Sequence, residues 1–402
     1  MNLHELLNKA LELIETNPED KEKISKYWFS DENMPFVSKE KIAEFNQILE
    51  AIYGFKEKVY SRFTRQKVYK AIEISLVNKK KKEELFTIND EQGFFSEFEN
   101  REPYNRYMIA PISGIRLDSN DKIKISIFEI GRTNQLKSIL SNDNDGYYIS
   151  VKIENFYDEL IAIEEAKNKF SDFIRLIIFI SGKNDKKILI KTGLPSYPSM
   201  THEQMYVETN SYQILETMED TFPSSTINNT YLEKVPVDNE FFYKNEDFKK
   251  IWEIYENKHS NKKISSMESR LLNASIAIGE SALSRNTKNS IIYTSMALEI
   301  LFSYDEGSLF QKSIGDKLSD TFAFIVGTDK GSRLKASKAV KEFYRLRSAL
   351  VHGGDTKTNN DYIVFNIFLR SIINELLNNK KYENIKKIED LYNMVKEAQY
   401  SY

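Results

Sequence analysis

Cysteine is absent from this 402-residue chain, and histidine occurs only at His4, His202, His259 and His352. Without a thiol there is no disulfide framework, no cysteine nucleophile and no cysteine–zinc site. Four scattered histidines leave little material for a transition-metal site, although carboxylates could still hold magnesium. An excess of positive charge is missing too: the net charge is −3, so any contact with nucleic acid must come from a local patch. No apolar run is long enough to span a bilayer, and the most apolar, Leu176 to Ile180 with its neighbours, falls well short. Glycine and proline are sparse while Lys, Asn and Ile abound, a composition that points to an AT-rich bacterial genome.

What is present describes an ordinary globular protein, 41% apolar and 29% charged, long enough for two or three domains. At the N-terminus Leu3, Leu6, Leu7, Leu11 and Ile14 recur at helical spacing, interrupted by Glu5, Lys9 and Glu12. That pattern is an amphipathic helix and not a signal peptide, so a cytoplasmic protein without membrane contact is expected.

The chain divides by pattern into an α+β arrangement: an N-terminal mixed α/β region followed by an all-helical bundle. Residues 1–220 form the mixed region. Ile42, Phe45, Ile48, Leu49 and Ile52 line one helix face, Lys79–Lys82 followed by Glu83 and Glu84 reads as a solvated helix end, and Tyr157–Ile180 is a long helix. Alternation at Ile123, Ile125, Ile127 and across Tyr148–Ile153 predicts strands, with another at Lys187–Lys191 after a turn at Gly182–Asp185. Residues 221–244, with Pro223, Pro236 and many Ser, Thr and Asn, read as a linker. Residues 245–402 predict helices at 247–257, 268–285, 289–304, 311–326, 332–352, 362–377 and 385–398, several separated at Gly307, Gly331 and Gly353-Gly354. Short connections between amphipathic helices imply an antiparallel bundle.

The chemistry-bearing residues gather in that second part. On an ideal helix over 332–352, Val340, Phe343, Tyr344, Leu350 and Val351 share one arc, with Arg347 in its middle. A guanidinium there must be desolvated by the bundle or by a partner subunit, and it needs a counter-charge. Glu299, the one carboxylate in the apolar segment Ser295–Phe302, is the simplest candidate. An ion pair that merely joins two helices would use the same two residues. The opposite face carries Lys338, Lys341 and Arg345, and His352 projects onto it; such a stripe attracts phosphates or is simply a solvated face. His352 stands at a helix C-terminus before two glycines. It either caps the last carbonyls or titrates near neutral pH as an acid–base group. Ideal geometry sets Arg347 and His352 roughly 140° apart, so they meet only if the helix ends there or if two chains share the site.

The segment SMALEILFSYD, followed after a gap by FYRLRSALVHGG, resembles the pattern of Apea-like HEPN domains: an Ala-Leu-Glu helix, then Tyr-x-x-Arg-Ser-x-x-x-His-Gly. The likeness covers about residues 265–380. It implies a helical bundle that dimerises with the Arg and His of both subunits facing each other, and a metal-independent endoribonuclease of the toxin, abortive-infection or anti-phage defence kind. On this likeness Arg347 stabilises the phosphorane, His352 moves the proton of the 2′-hydroxyl or of the leaving 5′-oxygen, and Glu299 orients Arg347. Ser348, which follows the arginine as in the Apea-like branch, falls with Arg345, Lys341 and Lys338 at the RNA. Arg345 also fits a looser Arg-x6-His spacing and stays open as the phosphate-binding residue.

The expectation is thus a dimeric hydrolase acting on RNA, tRNA among its candidate targets, without cofactor or metal, whose N-terminal region senses a trigger such as a phage protein. Two other readings stand beside it. One is a non-catalytic HEPN module for nucleotide or RNA binding and dimerisation; the other is a metal-dependent hydrolase whose activity EDTA would remove.

Overall fold

The structure, a computed structural model, describes residues 2–17, 21–28, 35–135, 146–184, 188–193, 207–214, 224–231, 233–239, 242, 246–304, 313–353, 358 and 360–400. Helix accounts for 62% and strand for 15%, with a mixed N-terminal region and an all-helical C-terminal one, so the α+β expectation holds. The chain forms two compact units, residues 1–108 with 152–167, and residues 109–151 with 168–402.

The first unit is built on α1 (Leu3–Glu12), α2 (Ile42–Tyr53), α3 (Glu57–Tyr60), α4 (Arg65–Lys81), α5 (Ile88–Gly93) and α6 (Ser96–Glu99). In α1, Leu3, Leu6, Leu7, Ala10 and Leu11 are the buried residues, as their helical spacing requires. They join Phe45, Leu49, Ile52, Phe63, Val68, Ile72, Leu76 and Phe95 in one core. A small sheet of β1 (Glu15–Thr16), β2 (Ile24–Tyr27) and β3 (Pro35–Ser38), ordered β1-β3-β2, is tied to α4 through buried Glu73, which accepts from Lys26 and from Trp28 Nε1. The lysine run ends α4: Lys79 meets Glu84 and Asp90 at 3.3 Å, and Lys80 donates to the Leu11 carbonyl. Asp158 is fully buried and accepts from the Thr64 amide at 2.8 Å, the Thr64 hydroxyl at 2.7 Å and the Leu160 amide at 3.0 Å. Burial works against its ionisation, but these donors hold its carboxyl below the usual range.

The second unit contains most of a five-stranded sheet made from β4 (Tyr104–Ser113), β6 (Ile123–Ile125), β7 (Phe128–Arg132), β8 (Tyr147–Phe156) and β9 (Lys191–Thr192), in the order β6-β7-β8-β4-β9; β5 (Ile115–Arg116) lies outside it. Ile123, Ile130 and Ile149 stand in register, as do Ile125, Phe128 and Val151, and all six are buried. The strand across Tyr148–Ile153 falls where alternation placed it, whereas the one begun at Ile123 stops at Ile125: the chain turns at Ser126 (φ +55°), and Ile127 lies in the turn and not on the strand. Helix α7 (Glu159–Ser181) sets Phe173 5.0 Å from Phe128. Of the strand expected at 187–191, Lys187 lies outside the described residues, Ile188 makes an isolated bridge with Glu233, and regular pairing begins at Lys191.

Residues 221–244 do not separate two cores. Strand β11 (Ser224–Tyr231) pairs antiparallel with β10 (Val207–Ile214), and β12 (Val235–Pro236) pairs parallel with β5. Residues on either side of this segment then share a core: Phe128 lies 5.7 Å from Tyr255 and Phe179 5.7 Å from Phe248. The expected division at 1–220, 221–244 and 245–402 therefore differs from the compact units, because these long-range pairings leave no local trace in composition.

The helices that follow are α8 (Glu246–His259), α9 (Ser266–Leu283), α10 (Thr287–Phe302), α11 (Ile314–Val326), α12 (Lys330–Val351), α13 (Asp361–Asn378) and α14 (Ile388–Tyr400), each within a few residues of its expected span. Gly307 and Gly354 lie outside the described residues. Ser265 caps α9, with Glu268 closing a capping box, and Asn286 caps α10. At Gly279 a Cβ would sit 2.0 Å from the Arg175 carbonyl oxygen, so α7 and α9 touch backbone to backbone. A buried polar network joins α9, α10 and α13. Asn366 Nδ2 donates to Ser281 Oγ (3.1 Å) and Asn184 Oδ1 (3.0 Å), and its Oδ1 accepts from Thr294 Oγ1 (2.8 Å).

Candidate active site

Helix α12 carries most of the expected site. Asp329 caps it, its Oδ1 accepting from the Ser332 amide at 3.0 Å while Ser332 Oγ accepts from the Asp329 amide at 3.0 Å. The helix runs unbroken to Val351. There the His352 amide donates to the Ser348 carbonyl at 3.1 Å, and Gly353 takes a φ of +79°, the left-handed turn that favours glycine.

One face of α12 meets the bundle. Val340 and Phe343 are buried, and the Phe343 ring stacks 4.2 Å from Phe365. Beyond Phe343 the expected apolar arc opens: Tyr344, Arg347 and Leu350 are half-buried, and Val351 is 48% exposed. The bundle therefore covers the arc only in its first part, because no element among the described residues closes over the last turns.

Arg347 and Glu299 are brought together, as their placement in two apolar helix segments leads one to expect. Arg347 Nη2 lies 3.5 Å from Glu299 Oε1, and each side chain is about one-quarter exposed. The guanidinium carbon also sits 5.7 Å from the Tyr344 ring centroid. Burial raises the Tyr344 phenol above its ordinary value, the Glu299 carboxylate adds to the shift, and Arg347 opposes it. Two atoms of this trio are buried without a hydrogen-bond partner, Glu299 Oε1 and Arg347 Nε. Such groups are uncommon in a folded interior, and Trp252 Nε1, the Tyr255 hydroxyl and Thr321 Oγ1 are in the same state. A half-buried guanidinium with an unused N–H, held by a carboxylate over an aromatic ring, is a donor shaped for an oxyanion.

His352 is not brought to this trio. Its side chain is exposed and has no hydrogen bond or ion pair among the described residues. The cause is the continuity of α12 through Val351, which keeps positions 347 and 352 on diverging faces. Ser348 is half-buried, with its carbonyl engaged by the His352 amide.

The basic stripe is partly committed. Lys341 pairs with Asp316 at 2.6 Å, Lys338 approaches Glu342 at 3.8 Å, and Arg333 Nε donates to the Gly327 carbonyl. Lys335 and Arg345 are exposed and in no ion pair among the described residues. Arg345 thus shares the open face with His352, whereas Arg347 has the carboxylate. Tyr344 was not singled out as a site residue. Its signal was its position one turn before Arg347, on the same helical face.

Among the described residues no three histidine or carboxylate side chains group as a metal site, and no helix is long and apolar enough to cross a membrane. No family model, curated protein or solved structure matches the chain.

Proposed function

We propose that this chain is a metal-independent HEPN endoribonuclease that cleaves RNA by attack of the 2′-hydroxyl, acting in the cytoplasm of a bacterium as an abortive-infection effector. The observation that carries this reading is the pairing of Arg347 with Glu299 inside the bundle, with Glu299 Oε1 and Arg347 Nε buried and making no hydrogen bond. In the proposed step Arg347 takes the negative charge that develops on the phosphorane, where one lost donor typically costs 10²–10³-fold in rate. Glu299 and the Tyr344 ring keep the guanidinium in orientation. His352 takes the 2′-hydroxyl proton or protonates the leaving 5′-oxygen, leaving a 2′,3′-cyclic phosphate. Arg345, Lys338, Lys341 and Ser348 contact the RNA backbone.

Because His352 and Arg347 diverge within one chain, the proposed site is completed by a second copy. The exposed apolar residues Val351, Val364, Ile367 and Phe368 near the end of α12 and along α13 support such a seam. The first unit would hold the sensing function, with a phage protein as its trigger.

The test is cleavage of total RNA and of tRNA by purified protein in EDTA. Products ending in 2′,3′-cyclic phosphate are expected, and none from His352→Ala. Activity that EDTA abolishes would replace this reading with a metal-dependent hydrolase. The exposure of His352 without a partner favours a second reading, a non-catalytic RNA-binding and dimerisation module. RNA binding without cleavage by wild type would establish that one instead.

A further inference from the structure

We propose that the first unit carries a separate binding surface for single-stranded RNA, built from tyrosine rings and arginines around the turn at residues 60–64. The turn is fixed from below by Tyr53, whose hydroxyl donates to the Phe63 carbonyl at 2.9 Å and lies 3.2 Å from that of Tyr60. Three tyrosines assemble there, with Tyr53 6.3 Å from Tyr60 and 6.0 Å from Tyr69. Tyr60 is 45% exposed, so its ring is open to an incoming base.

Cations flank the rings on both sides of the turn. The Arg65 guanidinium lies 5.9 Å from the Tyr53 ring, and that of Arg62 lies 4.6 Å from the ring of Tyr157. Glu50 fixes the first of these, pairing with Arg65 at 2.7 Å and accepting from Tyr69. Arg62, Lys58 and Lys70 have no acid within ion-pair distance among the described residues. Helix α4 also starts here, at the Thr64 cap, and its first turn contains no acidic residue. The buried Asp158 carboxylate already accepts from the Thr64 amide and hydroxyl there, so the attraction for phosphate rests on Arg62, Lys58 and Lys70.

The exposed Tyr60 ring beside the unpaired Arg62 guanidinium is what a flexible polyanion with aromatic bases requires. Bases stack on tyrosine irrespective of sequence, and phosphates meet the cations. A duplex hides its base faces, so the unpaired strand is the form that fits. This surface is argued from residues 50–70 and 157 alone and does not rest on the nuclease reading.

The test uses the full chain and a fluorescein-labelled 2′-O-methyl oligouridine, which has no free 2′-hydroxyl for a nuclease to use. Anisotropy should report saturable binding that weakens with salt. Tyr60→Ala and Arg62→Gln should each weaken it about tenfold, with Arg62→Gln lowering the salt slope by about one. Tyr60→Phe should bind like wild type, and circular dichroism melting checks that each variant is folded. Unchanged affinity in Tyr60→Ala and Arg62→Gln, with loss in Arg345→Ala instead, would overturn the proposal by moving the binding to α12. Binding to phosphatidylserine vesicles without binding to the oligonucleotide would overturn it too.

Discussion

Thr294 and Glu299 stand little more than a turn apart on α10, each inside the bundle, yet their polar surroundings differ in kind. Thr294 belongs to a closed set: its hydroxyl, that of Ser281 and the Asn366 amide satisfy one another, all within 1% of full burial. Glu299 belongs to an open set, in which Oε1 faces Arg347 Nη2 at ion-pair distance but neither it nor the buried Arg347 Nε makes a hydrogen bond. A closed buried network fixes how helices pack. An open one costs about 1–3 kcal/mol per unmatched group. The two clusters therefore differ in how completely their buried polar atoms are matched within the chain.

Substitutions can break that contrast. The largest effect is expected from Arg347→Lys, which keeps the charge but loses the planar fork. RNA cleavage should fall at least about 10²-fold while the melting temperature barely moves. Loss confined to Arg345→Ala would instead identify Arg345 as the phosphate-binding residue.

Asn366→Ala should show the reverse behaviour. It removes the amide from a dry site, leaving the Thr294 and Ser281 hydroxyls only each other and the Ser290 carbonyl, and should lower unfolding free energy by about 1–3 kcal/mol in denaturant titrations, with cleavage per folded molecule unchanged. Equal loss of activity and stability would erase the distinction between the two clusters.

Glu299→Gln sharpens the contrast. Both members of the pair are about one-quarter exposed, so stability should change by less than about 1 kcal/mol. Cleavage should still drop because the guanidinium loses its orienting charge. The smallest effect is expected from Tyr344→Phe. The folded state raises the Tyr344 phenol, so the neutral form is the one it favours. That contribution is complete below the ordinary phenol range and is lost as pH rises through the higher folded value. Denaturant titrations at neutral and strongly alkaline pH should therefore show wild type losing more stability than Tyr344→Phe.

Much of this organisation was legible locally. The helical period through Val340 and Phe343 and the glycines after His352 mark α12 at its C-terminal end, while its start, expected at 332 after Gly331, lies at Lys330 behind the Asp329 cap. A single acid in an apolar segment was enough to pair Glu299 with Arg347. What escaped the sequence depends on distant partners. Ser281, Thr294 and Asn366 look like ordinary small polar residues until three helices meet. Lys341 reads as part of a free stripe until Asp316 lies beside it. Residues 221–244 read as a linker because turn-forming residues dominate there, while the pairing of β12 with β5 is invisible at that range.

The most direct test of a site shared between two copies is subunit mixing. Arg347→Ala and His352→Ala proteins, each inactive alone, are combined and assayed for cleavage of RNA in EDTA. If Arg347 of one copy works with His352 of the other, random mixed dimers contain one intact site each, and activity should return to about a quarter of wild type. A mixture as inactive as its components, alongside an active wild type, would contradict the shared site.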